Sequence, residues 1–131
     1  MPIRPEQARA VLPQVDPARM RLDWPVGLRD GALLALLAAG LTAREISRLR
    51  ASAVTMKRGK LLVAVHRQGV VWYAALPADL GSRVLVWLTE RRLWGEGTPV
   101  FTGPNGSSLS RKSIYTIVNR YRHLGEARRC A

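Results

Sequence analysis

The side chains in this sequence that could do chemistry are mostly arginines. The chain has 21 Lys+Arg against 9 Asp+Glu and a formal net charge of +12. Lys57, Lys60 and Lys112 are its lysines, so arginine supplies most of the positive charge. A planar guanidinium can donate paired hydrogen bonds to phosphate oxygens and to guanine edges. A GC-rich gene would also enrich Arg and Ala, but composition alone does not produce this surplus, which predicts a polyanionic partner.

Many of the basic residues lie in a short helix after Thr42, in two tight turns between strands, and in the last helix. The outer stripe of the last helix combines basic, amide and aromatic groups, which can contact both phosphates and base edges. An ordinary solvated helix face has a similar composition, so this stripe alone leaves both interpretations open. Together the segments predict contacts with double-stranded DNA at Arg44, Arg48, Arg50, Lys57, Lys60, Arg67, Arg111, Lys112, Tyr115, Asn119 and Arg120.

Other kinds of site have little support in the sequence. Cys130, His66 and His123 lack the spacing of metal ligands. The segment Gly103–Gly106 has neither the lysine nor the strand-loop-helix setting of a phosphate-binding loop. We therefore expect no metal, no cofactor and no small-molecule substrate.

The elements that position these groups begin with a leucine-rich helix predicted over Asp30–Ala39. This helix is apolar on nearly every side, so it should be central and buried. Gly40 is the residue expected just past a helix end. Thr42 and Glu45 form a capping-box pattern, which predicts a second helix over Ala43–Ala51 with Ile46 and Leu49 facing inward.

From Val54 the hydrophobic period changes from helical to alternating, which predicts a three-stranded antiparallel meander that ends at Pro77. Both turns are basic, and His66 is expected in the second. A helix should follow from Asp79 to about Trp94, then a loop over Gly95–Ser108. Ser110 should cap a last helix with core residues Ile114, Ile117, Val118, Tyr121 and Leu124. The expected core and core-edge tryptophans are Trp24, Trp72, Trp87 and Trp94.

The chain length of 131 residues fits a single domain over residues 1–131. We divide it into a proline-rich N-terminal arm (1–25), a core (26–125) and a basic tail (126–131). The expected fold class is α+β, mostly helical, with the meander packed beside the helices. No segment has the length of a bilayer span or the pattern of a signal peptide, so a cytoplasmic location without membrane contact is expected.

The order of these elements resembles the first part of the catalytic domain of tyrosine recombinases, the phage integrase and Xer-like family. The resemblance runs from about Pro5 to Gly125. In that family a leucine-rich helix ends in a Thr-Gly-Leu-Arg-x-Ser/Gly-Glu-Leu box, followed by three strands, a helix, a short apolar segment and a basic helix. The segments that carry it here are RDGALLALLAAGLTAREISRLR, LLVAVHRQGVVWYAALP and VFTGPNGSSLSRKSIYTIVNRY.

The resemblance implies a chemistry in which a tyrosine attacks a DNA phosphodiester. Two arginines and a histidine hold the phosphate, and a lysine protonates the leaving oxygen. The first-box arginine falls on Thr42 and the turn lysine on Arg67, while Glu45 matches the box. The His-x-x-Arg box and the nucleophilic tyrosine would lie beyond Gly125. The resemblance therefore implies a DNA-binding protein with no catalytic residues.

Three hypotheses follow from the residues and the resemblance. The first is an inactive, recombinase-like DNA-binding protein with an accessory or regulatory role for a bacterial mobile element. The second is an interaction module that binds a full-length recombinase or itself. The third is a residual enzyme, which would form a covalent adduct with nicked DNA.

Overall fold

The computed structural model describes residues 3–103 and 106–130, with side chains through residue 125. Short 3₁₀ turns at Leu12–Gln14 and Ala51–Ala53 extend two of the connections. The helices and strands, in chain order, are α1 Pro5–Val11, α2 Val26–Ala38, α3 Ala43–Ser47, β1 Val54–Lys57, β2 Lys60–Arg67, β3 Val70–Leu76, α4 Ala78–Glu90 and α5 Arg111–Cys130.

The leucine-rich segment forms the central helix α2, as predicted. Its four leucines between positions 33 and 37 are fully buried. The helix begins at Val26, four residues before the predicted start. At its other end Gly40 has a φ of +105°, and Leu41 N–H donates to the Leu36 carbonyl at 3.1 Å. A residue without a Cβ suits this left-handed position, so Gly40 ends α2 in the expected way.

The N-terminal arm packs along α2 and α5. Helix α1 starts at Pro5, and its Ala8 is fully buried. Farther along the arm, Gly27 N–H donates to the Arg19 carbonyl at 3.0 Å. A Cβ built on Gly27 would lie 2.0 Å from the Asp16 carbonyl oxygen, so only glycine permits this close contact between arm and helix.

The meander has the predicted antiparallel order β1-β2-β3. Two-residue turns at Arg58-Gly59 and Gln68-Gly69 join its strands, and all four residues have positive φ, as expected for tight hairpins that follow the sheet twist. The predicted turn position of His66 is wrong, because His66 lies within β2 and pairs with Val71. The second turn is closed by the pair of Arg67 and Val70.

Three of the four tryptophans lie in or beside the core, as predicted, and one does not. Trp87 is 1% exposed and its Nε1–H donates to the Val100 carbonyl at 2.8 Å. Trp24 and Trp94 are partly buried. Trp72 is 57% exposed, so its predicted core position is wrong. It lies on the edge strand β3, opposite buried Val65.

Two helices end earlier than predicted. Helix α3 stops at Ser47, whose hydroxyl donates back to the Arg44 carbonyl at 2.7 Å, a bond that competes with helix continuation. The chain then pairs with residues 98–100, since Val100 N–H donates to the Leu49 carbonyl at 3.0 Å. Helix α4 stops at Glu90 because Arg92 adopts a positive φ and turns the chain away.

Helix α5 begins as predicted, with the Ser110 hydroxyl accepting from Ser113 N–H at 3.1 Å. Four of its five predicted core residues are buried, but Leu124 is 36% exposed. At this end of α5, buried Gly125 contacts the N-terminal arm, because it packs beside Gln14. The predicted basic tail continues α5 as far as Cys130, and residue 131 lies outside the described residues. None of the described helices is both long and apolar enough to cross a bilayer.

Candidate nucleic-acid interface

A concave basic surface lies where α3 meets the end of the sheet. We call it the basic cleft. It has a volume of about 470 Å³. Its lining residues are Thr42, Arg44, Glu45, Arg48, Leu49, Arg50, Ala53, Ala64, Val65 and His66.

The capping box fixes the direction of the arginines at this cleft. Glu45 N–H donates to the Thr42 hydroxyl at 3.1 Å, and Thr42 N–H donates to a Glu45 carboxylate oxygen at 2.9 Å. These bonds start α3 at Ala43 and place Arg44 and Arg48 one turn apart along the segment. Both arginines are exposed, and neither forms an ion pair with a residue that the structure describes.

Arg50 is held in place without losing its charge. Its guanidinium donates to the Gly97 carbonyl at 2.7 Å, and its backbone pairs with Pro99. A carbonyl accepts a hydrogen bond but carries no formal charge. Arg50 therefore offers the cleft a positioned cation.

Arg67 reaches the cleft from the end of β2 and binds its acidic residue. Arg67 Nε–H donates to Glu45 Oε2 at 2.7 Å, and Nη2–H donates to Glu45 Oε1 at 2.9 Å and to the Gly40 carbonyl at 3.0 Å. The hydrogen bond from Arg67 lowers the pKa of Glu45 against the opposing effect of burial. Since Glu45 is the only carboxylate lining the cleft, this pair leaves the surplus charge of Arg44, Arg48 and Arg50 uncompensated.

The remaining sequence-predicted residues lie elsewhere. Lys57 and Lys60 close the first hairpin turn, at the opposite end of β2 from Arg67. Seven residue steps along a strand correspond to roughly 23 Å. These two lysines are therefore separated from the basic cleft by most of the length of the sheet.

The residues predicted on α5 spread over about half of the helix circumference. Lys112 and Arg120 line a groove beside residues 19–26. Arg111 and Asn119 are exposed, and Tyr115 is half-buried against the core. At roughly 100° per residue, Arg111, Tyr115, Asn119 and Lys112 fall within about 100° of one another, and Arg120 lies about 80° beyond Lys112.

A buried polar group joins α2 to α5, and the sequence analysis did not predict it. Arg29 and Asp30 form an ion pair at 2.8 Å, with the Asp30 side chain fully buried. The Tyr121 hydroxyl donates to the second oxygen of Asp30. Burial, with the nearby Asp30, raises the pKa of Tyr121 well above its ordinary value, so the phenol stays neutral. The adjacent Arg and Asp in an otherwise apolar helix were the available sequence signal.

The described residues contain no group of three His, Cys, Asp or Glu side chains arranged to hold a metal ion. The basic cleft presents guanidinium groups, an imidazole, a hydroxyl that already caps a helix and the Glu45 carboxylate bound by Arg67. Guanidinium groups bind anions.

Solved structures of a site-specific recombinase share this fold. One is XerH bound to its difH substrate in a pre-cleavage complex, with 20% sequence identity and a TM-score of 0.63, covering 93% of this chain. Another is XerH bound to a palindromic difH substrate in a post-cleavage complex, with 22% identity and a TM-score of 0.64, covering 91% of this chain. The sequence matches no protein-family model and no curated protein.

The chain spans about a third of the length of these recombinase chains, 36% and 35% respectively. Its fold is that of a tyrosine recombinase domain, as the order of sequence elements predicted.

Proposed function

We propose that this protein binds double-stranded DNA through the basic cleft and does not catalyse strand transfer. The observation that carries the proposal is the charge arrangement of the cleft. Three exposed arginines surround a concave surface whose single carboxylate is already bound by Arg67. The fold shared with DNA-bound recombinase structures supports the same partner.

The groups around the cleft favour binding over reaction. At the position that resembles the first catalytic arginine, Thr42 uses its hydroxyl to cap α3. At the position of the turn lysine, Arg67 is bound to Glu45, and a guanidinium does not give up a proton near neutral pH. No tyrosine lines the cleft. We assign the protein an accessory or regulatory role for a bacterial mobile element, acting in the cytoplasm.

Fluorescence anisotropy of a labelled duplex at several salt concentrations tests the proposal. If the three uncompensated arginines of the cleft meet phosphates, log affinity should fall with log salt at a slope of about −2.7, from roughly 0.9 per contact. Replacing Arg44 and Arg48 together with alanine should reduce the magnitude of that slope by about 1.8. Affinity that is absent at low salt, or that does not depend on salt, rejects DNA binding.

A matched control removes the same number of charges from the arm. Arg4 and Arg9 form exposed ion pairs with Glu6 and Asp79, away from the cleft. Replacing both with glutamine should leave the slope near that of the wild type. If this variant and the Arg44/Arg48 variant change the slope equally, the cleft is not the binding surface.

A second candidate function is self-association or binding to a full-length recombinase. It is favoured by β3, an edge strand without a charged residue, on which Val70, Trp72 and Tyr73 are 54%, 57% and 67% exposed. Unprotected edge strands pair readily with other strands. Light scattering with and without DNA separates the candidates, because this second function predicts a stable oligomer that DNA does not perturb.

A further inference from the structure

A second concave surface, which we call the arm groove, lies between residues 19–26 and α5. Its volume is about 560 Å³. Arg19, Arg21 and Trp24 line one wall, and Lys112 and Arg120 line the other. The groove shares no lining residue with the basic cleft. It is therefore a separate surface of the molecule.

The rim of the arm groove carries uncompensated positive charge. Among the residues that the structure describes, Arg19, Arg21, Lys112 and Arg120 form no ion pair and no carboxylate lines the groove. Arg29 also lines the groove but is paired with Asp30.

The floor of the groove is apolar. Val26 and Ile117 are buried, Leu109 is partly buried, and Leu22 at the rim is 94% exposed. An exposed large apolar side chain beside an apolar floor favours an occupant that covers both.

We infer that the arm groove binds an acidic peptide segment that carries a large apolar side chain. Carboxylates of the peptide would pair with the rim cations, and its apolar side chain would cover the floor. Duplex DNA supplies charge but no apolar side chain for the floor. A second copy of this chain fits poorly, because each copy carries a net charge of +12. The inference does not depend on the proposed DNA binding.

The probe is a fluorescein-labelled peptide of about twelve residues that alternates glutamate with leucine and phenylalanine. Its anisotropy should rise on titration with the wild-type protein. Reversing two rim charges with Arg19→Glu and Arg21→Glu should weaken binding by about tenfold or more.

Two controls make the test specific. Arg44→Glu with Arg48→Glu makes the same charge change in the basic cleft and should alter peptide affinity by less than about twofold. A peptide with serine in place of leucine and phenylalanine should bind at least about tenfold more weakly, because it cannot cover the floor.

Three results would overturn the inference. The first is equal loss of peptide affinity in the two charge-reversal variants, and the second is equal binding of the serine peptide. The third combines two observations: the wild-type protein does not bind the peptide, and the Arg19/Arg21 variant loses more duplex affinity than the Arg44/Arg48 variant. That result would make the groove a nucleic-acid surface. Because all four arginines are exposed, circular dichroism should show unchanged folding in both variants.

Discussion

The Arg67 guanidinium binds both carboxylate oxygens of Glu45, at 2.7 and 2.9 Å, across 22 residues of sequence. The same carboxylate accepts from Thr42 N–H in the capping box. One acidic side chain thus joins the start of α3 to the end of β2. The pair shapes the basic cleft and removes its only negative charge, so Arg67 has a structural use at the position where the resemblance places a catalytic lysine.

This pair should make stability depend on pH. The hydrogen bond from Arg67 lowers the pKa of Glu45, so its stabilisation is present above the ordinary glutamate pKa and is lost as pH falls through the folded value. Urea unfolding should show Glu45→Gln less stable than wild type near pH 6, by about 1 kcal/mol or less because Arg67 is partly exposed. The difference should shrink toward pH 3.

The control for this prediction is Glu45→Gln made in a protein that already carries Arg67→Gln. Without the guanidinium, the additional substitution Glu45→Gln should cost less, and the cost should depend less on pH. An equal pH dependence in both backgrounds would assign the effect to the capping box alone.

The buried pair of Tyr121 and Asp30 predicts a larger effect. Tyr121→Phe removes the hydrogen bond to a fully buried carboxylate that keeps only Arg29 as its side-chain partner. The free energy of unfolding should fall by about 1.5–3 kcal/mol. Tyr115→Phe is a matched control on the same helix and should cost less than about 0.5 kcal/mol.

Tyr121 also predicts a response at high pH. Burial raises its pKa, so its neutral form contributes stability below the ordinary tyrosine pKa of about 10, and that contribution is lost as pH rises above it. The wild type should therefore lose stability above pH 10 more steeply than Tyr121→Phe. Parallel curves for the two proteins would contradict the assignment.

Gly27 should tolerate no side chain. An alanine Cβ there would lie 2.0 Å from the Asp16 carbonyl oxygen and 3.0 Å from Arg19 N, so the arm backbone must move. Gly27→Ala should cost about 1–3 kcal/mol or more and increase proteolysis of the arm. Gly31→Ala is the control, since the nearest atom to its Cβ would be the flexible Arg83 Nη1 at 3.2 Å, with Val15 Cγ1 in ordinary contact at 3.8 Å, and alanine favours a helix. It should be neutral or stabilising in urea unfolding.

Local patterns in the sequence were sufficient to predict most elements. The Thr42–Glu45 box, the leucine-rich helix and the two Gly-containing turns each depend on neighbours within four residues. The end of α3 was not predictable in this way, because the pairing of Leu49 with Val100 joins residues about fifty positions apart. The Tyr121–Asp30 bond spans 91 residues and was missed for the same reason.

The candidate site was predicted by residue type but not by place. Periodicity put Arg44 and Arg48 on an exposed surface, where they lie. It could not show that Lys57 is at the far end of the sheet from Arg67, or that Lys112 belongs to a different groove, because those relationships depend on how the helices pack.

The tryptophans give a direct test of where the core stops. Trp87 is 1% exposed and stacks on Phe101 at a centroid distance of 6.0 Å, so Trp87→Ala should cost about 3–5 kcal/mol. Trp72 is 57% exposed on the edge strand, and Trp72→Ala should cost less than about 1 kcal/mol. Chemical denaturation of the two variants checks both values, and similar losses would mean that β3 is covered in solution.

Position 42 tests the proposal that the protein binds DNA without cutting it. Thr42→Arg and its uncharged control Thr42→Gln both lose the capping hydroxyl, so each should unfold about 1 kcal/mol more easily than wild type. The arginine adds a cation to the basic cleft, and the salt slope for duplex binding should become more negative by about 0.9 in Thr42→Arg only. Neither variant should form a covalent adduct on a nicked duplex in a denaturing gel, because no tyrosine lines the cleft and Tyr121 is buried and neutral. An adduct formed by Thr42→Arg would show that a nucleophile reaches the cleft and would reject the proposal of an inactive protein.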